Sequence, residues 1–290
     1  MIKKAGSASA LAAMLAVAAF AAAPAPQRIV TFAPSLSETV FALGAGDRVV
    51  GVGDYAAFPP AVQALPRVGG LYNPNLERLT ALRPDLVLIP SPIAKLQALG
   101  AARGIRVAVV PLDSLEDLQS GIPEIGALVG RTAAARALAS SIRTELARVR
   151  ARTAGLDKLP VLLVLDRPTA GPLRGIFSTG GGSFLDQLTS IAGGRNIFHD
   201  VGRRYFQASL EEILRRRPAV ILELQAGGRA GPGLEAAAAR AWSGLFGRGR
   251  TPPVHVLTDP IFVVPGPRVA AAAQRLAHLL HPELPPAPAP

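Results

Sequence analysis

The 290-residue sequence contains no cysteine, which excludes a disulfide scaffold, a thiolate metal site and a cysteine nucleophile together. It also leaves no residue to carry the lipid that tethers some secreted proteins to a membrane. Histidine is nearly as scarce. His199, His255, His278 and His281 are the only four, too scattered along the chain to gather around a transition metal. His278 and His281 fall on or beyond the last predicted helix, where a surface role is expected. Common enzyme signatures are missing too: there is no Gly-x-Ser-x-Gly elbow, His-Glu-x-x-His helix or Walker loop. No acid, base or nucleophile clusters by spacing. These absences point to a protein that is not an enzyme and has no resident cofactor and no metal.

Only one long apolar run exists. Ala8 to Ala22 is shorter than the ~20 residues a bilayer span needs, follows Lys3 and Lys4, and runs into the small residues Ala21-Ala22-Ala23-Pro24-Ala25. Residues 1–23 therefore read as a cleaved signal peptide and the mature chain as a soluble periplasmic protein. Aromatic residues are few, at 5%. The formal net charge of +11 comes from scattered arginines without the stacking surface of a nucleic-acid interface, so no nucleic acid is expected as a partner. The three tyrosines, Tyr55, Tyr72 and Tyr205, fall in predicted loops, as do Phe58 and Phe262. Such rings on loops around one cleft would stack on a large, flat, partly apolar ligand.

What is present is an α/β pattern written twice. Strands are predicted at Arg28 to Ala33, Val49 to Val52, Asp85 to Ile89 and Ile105 to Val110, with helices at Asn75 to Leu82 and Ile93 to Ala102. Ser35-Leu36-Ser37-Glu38 has the pattern of a capping box, opening a helix at Ser35 that stops near Gly44. Ser183-Phe184-Leu185-Asp186 opens its counterpart, ending at Gly193-Gly194. Leu76-Glu77, then Arg83-Pro84 and an apolar run, is echoed by Leu210-Glu211, then Arg217-Pro218 and Ala219 to Leu222. Thr179-Gly180-Gly181-Gly182-Ser183 precedes a helix, where its N–H groups would hold an anion or its backbone would approach another closely. From Ser114 to Thr153 no strand signal occurs. The apolar spacing predicts one helix over Glu124 to Arg152, about 44 Å long. The expected fold is α/β, with two Rossmann-like lobes, each around a mostly parallel sheet, joined by one long backbone helix. The divisions are 24–113, 114–153 and 154–290, the last with a Pro-rich tail. A cleft between the strand ends of the two lobes would take a ligand, with little hinge motion.

The stretch from Ile29 to Ile89 resembles the N-terminal lobe of the vitamin B12-binding periplasmic proteins. The resemblance rests on Ala33-Pro34-Ser35-Leu36-Ser37-Glu38, Gly51-Val52-Gly53-Asp54-Tyr55, Phe58-Pro59-Pro60 and Leu65-Pro66-Arg67-Val68-Gly69-Gly70. It continues through Asn73-Pro74-Asn75-Leu76-Glu77 and Leu82-Arg83-Pro84-Asp85-Leu86-Val87. In the second half, Ser209-Leu210-Glu211, Arg217-Pro218 and Pro265-Gly266-Pro267-Arg268-Val269 are similar. The wider helical-backbone group includes siderophore and haem carriers. The resemblance implies a monomeric carrier that hands cobalamin to the membrane permease of an ABC importer. It places ligand contacts at Ser35, Leu36, Tyr55, Leu71, Tyr72, Tyr205, Pro260, Ile261 and Phe262, and permease docking at Glu77 and Glu211. Leu71 stands where some members have Trp. The alternative cargo is haem, with a tyrosine as axial ligand, or a ferric siderophore met by Arg174, Arg203 or Arg268.

Overall fold

The computed structural model describes residues 24–169, 173–225, 233–247 and 249–285; the expected leader, residues 1–23, lies outside them. In the first half, β1 (Ile29–Thr31), β2 (Val49–Val52), β3 (Leu86–Ile89) and β4 (Arg106–Val109) form a parallel sheet in the order β2-β1-β3-β4. Every residue of β1 and β3 is buried, as short apolar runs covered on both faces must be. Helices α1 (Pro34–Ala42), α2 (Leu76–Ala81) and α3 (Ala94–Arg103) connect these strands. The Asn75 side chain caps α2 by accepting the N–H of Arg78 at 2.8 Å.

Helix α1 departs from expectation. It begins at Pro34, whose missing N–H is no loss in a first turn, with Ala33 as its cap, so the predicted capping box does not form. The hydroxyls of Ser37 and Thr39 donate to the carbonyls of Ala33 and Ser35. Glu38, freed from the box, has another partner.

The middle segment contains two helices where one was expected, α4 (Leu115–Leu128) and α5 (Thr132–Thr153). Gly130 adopts φ +68, and this left-handed turn ends α4. Gly126 lies so close to α5 that a Cβ would overlap the Ala135 methyl, which seats the two helices against each other. The 22 residues of α5 span about 33 Å. At its start, Arg131 donates to the carbonyl of Gly44, and Arg48 donates to that of Val129. At its far end, Thr153 donates to the carbonyl of Ile191 at 2.8 Å. The helix is thus anchored in the first half of the chain at one end and in the second half at the other. One apolar core runs from Ile29 through this segment to Leu280.

In the second half, β5 (Leu159–Asp166), β6 (Ile176–Thr179), β7 (Gly194–Asn196), β8 (Tyr205–Ala208), β9 (Val220–Leu224) and β10 (Val254–Leu257) form one sheet. Its order is β10-β9-β5-β6-β8, with β7 beside the start of β5. The strands β10, β9, β5 and β7 pair in parallel, while β6 is antiparallel to both its neighbours. Around the sheet lie α6 (Phe184–Ile191), α7 (Leu210–Arg216), α8 (Leu234–Phe246) and α9 (Val269–Leu280). Ser183 and Ser209 cap α6 and α7 through the N–H groups of Asp186 and Glu212. His281, expected on the surface, is buried, and its Nε2–H donates to the carbonyl of Gly193 at 3.1 Å. Among the described residues no helix is long and apolar enough to cross a membrane.

Candidate functional site

Open α/β sheets present their ligand crevice at the carboxyl ends of their parallel strands. In the first half, those ends deliver Ala33 to Ser35, Gly53 to Tyr55, and Pro111 to Asp113. In the second half they deliver Arg167 after β5, Gln225 after β9 and Thr258 to Phe262 after β10. The two sets meet across the chain. Arg268, following the β10 loop, donates twice to the Glu38 carboxylate, at 2.8 and 2.6 Å, and its guanidinium lies 4.0 Å from the Phe58 ring centroid. Glu38 is 4% exposed, and its hydrogen bonds raise the Arg268 pKa above the usual guanidinium value. Arg268, a candidate contact for an anionic siderophore, is therefore a strut between the halves.

A second strut involves Asp113. Its carboxylate accepts the Tyr205 hydroxyl at 2.6 Å and Arg204 at 2.8 Å, and its carbonyl accepts the N–H of Phe184. Burial, reinforced by the bond to Asp113, pushes the Tyr205 phenol far above its ordinary value, so it remains a donor. Gln187 of α6 accepts the N–H of Leu115 and donates to Glu116 of α4, which holds the Glu116 carboxyl below its ordinary value.

The expected ligand contacts separate into two groups. Tyr55 and Tyr72 are 81% and 99% exposed on the loops of the first half, and Leu71 is half-buried against the core residues around Val68. Tyr205 is partly exposed but engaged by Asp113. Leu36, by contrast, is 0% exposed and belongs to the core, so its side chain offers a ligand nothing. Ile261 and Phe262 are likewise buried in the core. Phe262 lies under the Arg275 guanidinium at 5.0 Å, leaving half-buried Pro260 as what this turn presents. Ser35 is buried where the Gly266 turn approaches Glu38.

The Gly-rich loop resolves in favour of close backbone approach. A Cβ on Gly180 or Gly181 would collide with the carbonyls of Arg203, Val201 or His199. The N–H groups of Gly180, Gly181 and Gly182 donate to Arg204, Val201 and the Asp186 carboxylate, so none is left for an anion.

One cluster escaped sequence reasoning. Glu223 lies in the all-buried strand β9 and is 1% exposed. Its Oε1 accepts from Arg167 Nε at 2.6 Å and the Trp242 indole N–H at 2.6 Å. Its Oε2 accepts from Arg167 Nη2 and Gln225 Nε2, each at 3.1 Å. Four donors compensate the burial of this charge. Beside it opens a cavity of about 340 Å³, lined by Asp166, Arg167, Thr169, Glu223, Leu224 and Gln225. The available signal was a lone carboxylate inside the apolar run Val220–Leu224, which requires a partner.

Glu77 and Glu211 are exposed at the second positions of α2 and α7. Their neighbour Glu212 is instead held by Arg215 and Arg216, which pull its carboxyl down to about 2. Arg83 and Arg217, just past these helices, adopt φ +44 and +47. This conformation is uncommon outside glycine, and its recurrence before Pro84 and Pro218 makes the internal repeat visible in the backbone.

A family model described as periplasmic binding protein matches residues 29–236. A vitamin B12-binding protein of Salmonella choleraesuis (strain SC-B67) is 30% identical over 255 residues, covering 87% of this chain and 90% of the relative. One from Pectobacterium carotovorum subsp. carotovorum (strain PC1) is 27% identical over 269 residues, covering 92% of each. Among solved structures, a periplasmic heme-binding protein from Pseudomonas aeruginosa matches with a TM-score of 0.76 at 28% identity, over 91% of this chain and 96% of the other. The periplasmic vitamin B12-binding protein of Vibrio cholerae matches with a TM-score of 0.71 at 25% identity, over 88% and 96%.

Proposed function

The chain belongs to the periplasmic binding protein family, and from that premise we propose that it carries cobalamin, or a related corrinoid, to an ABC importer. Proteins of this family bind transported solutes, are not enzymes and have no resident cofactor. On this reading residues 1–23 are removed on export to the periplasm. Residues 24–113 and 154–290 act as lobes, 114–153 joins them, and the carrier works as a monomer.

The observation that supports this cargo is the pairing of charge around the strand ends. Arg167, Arg204, Arg268 and Arg275 are each bonded to a carboxylate, namely Glu223, Asp113, Glu38 and Asp259. Unpaired guanidinium groups would suit haem propionates or an anionic ferric chelate. Neutralised ones suit a bulky ligand whose periphery is made of amides. The exposed rings of Tyr55 and Tyr72 offer faces to pack on it. Haem or a ferric siderophore is the second reading, favoured by those same tyrosines as ligands to iron and by the exposed Arg174 and Arg203. Absorbance titrations of the purified protein with cyanocobalamin, haemin and a ferric catecholate separate the two. Saturable binding of cyanocobalamin alone is expected. Tight binding of haemin without a response to cyanocobalamin would overturn the corrinoid assignment.

A further inference from the structure

We propose that the cavity at the carboxyl ends of β5 and β9 is a subsite for a carboxamide of the ligand, built to refuse the corresponding carboxylate. The inference rests on the corrinoid reading and assigns it a discriminating group.

The chemistry follows from counting donors and acceptors around Glu223. An ionised carboxylate can only accept, so the Gln225 amide must turn its nitrogen toward Glu223, and this orientation leaves Oε1 an acceptor with no donor among the described residues. Arg167 spends Nε and one Nη2 proton on Glu223 and one Nη1 proton on the carbonyl of Pro168, leaving one N–H on each Nη without an acceptor among the described residues. The cavity wall therefore offers both an acceptor and donors, which is the complement of a primary amide.

Charge decides against the acid. Among the described residues, the lining holds two carboxylates, Asp166 and Glu223, against the one guanidinium of Arg167. A ligand carboxylate would bring a third negative charge to a wall whose described residues are already net negative. It would also lack the protons that Gln225 Oε1 and Asp166 accept. A neutral amide meets neither penalty.

The wall is fixed before any ligand arrives. The Arg167 and Glu223 side chains are 6% and 1% exposed, and Trp242, wholly buried behind them, holds Glu223 through its indole N–H. A donor–acceptor pattern held this way needs no reordering on binding.

The test compares cyanocobalamin with its monocarboxylic derivatives, in which one peripheral propionamide is hydrolysed, by titration calorimetry on the full chain and two variants. The parent should bind at least one derivative roughly tenfold more weakly than cyanocobalamin. Asp166→Asn should narrow that gap by improving binding of the acid. Gln225→Ala should weaken cyanocobalamin by roughly tenfold. Both positions border solvent, and thermal melts of the variants verify folding. If the parent binds cyanocobalamin and every derivative equally, the subsite is wrong while the cargo stands. The same conclusion follows if neither variant alters the discrimination. If the parent binds no corrinoid at all, the cargo assignment fails and the subsite with it.

Discussion

Two glutamates of this chain, Glu38 and Glu223, are almost wholly buried, and each is tied twice to one arginine. A buried carboxylate is tolerated only when its lone pairs are filled, so removing the charge strands the partner. For Glu38 that partner is Arg268, which also covers the Phe58 ring. The pair is partly open to water on the Arg268 side, which tempers its worth. Glu38→Gln is expected to lower stability by about 2 kcal/mol, a fall in Tm of roughly 5 °C. Differential scanning calorimetry reads this directly. A Tm within one degree of the parent, at about the limit of resolving such a change, would mean that the strut contributes nothing to the fold.

At the level of elements, the join between α4 and α5 decides how the two sheets are held. Their separation depends on Gly130, whose φ of +68 suits a residue without a Cβ and whose added methyl would press on Ala25. Gly130→Ala is expected to cost about 1–2 kcal/mol while leaving helical circular dichroism unchanged, because the chain turns here whatever occupies the position. Urea denaturation measures the loss. Increased helicity with undiminished stability would show instead that α4 and α5 can fuse into the single helix their apolar spacing suggests.

For the whole molecule, a core shared between both sheets and the joining helices leaves little room for wide opening. On the proposed carrier role, handover would then depend on surfaces outside the cleft. Glu77 and Glu211 are exposed at equivalent helix starts in the two halves, where the helix dipole favours negative charge. We propose that they meet basic groups of the permease. Replacing both with Ala should reduce transport by about tenfold or more at moderate salt and leave ligand affinity unchanged. Uptake into cells, measured alongside equilibrium binding, distinguishes this from a binding defect. Undiminished uptake by the double variant would remove the docking role.

The strands β1 to β4, the helices α2, α3, α6 and α7 and the repeat of the plan were legible in the sequence to within a residue or two. Their determinants are local: apolar runs, the caps Asn75, Ser183 and Ser209, and the stops before Pro84 and Pro218. Exposed Tyr55, Tyr72, Glu77 and Glu211 were legible for the same reason, since loop and helix-start positions follow from local pattern. The local rule misled at Ser35, where a capping-box pattern was available but Pro34 began the helix and Glu38 found Arg268 instead. Leu36, Ile261 and Phe262 looked like cleft residues and proved to be core, because burial depends on what packs against a loop. By itself the sequence determined the strands of the first half, the helices α2, α3, α6 and α7, and that the chain holds two copies of one plan. Only the tertiary structure decided which charges neutralise one another. Glu38 and Arg268 are 230 residues apart, Asp113 and Tyr205 are 92 apart, and Glu223 and Arg167 are 56 apart. No periodicity or cap reaches across such separations, and the pairing that shapes the cleft follows from packing the two sheets together.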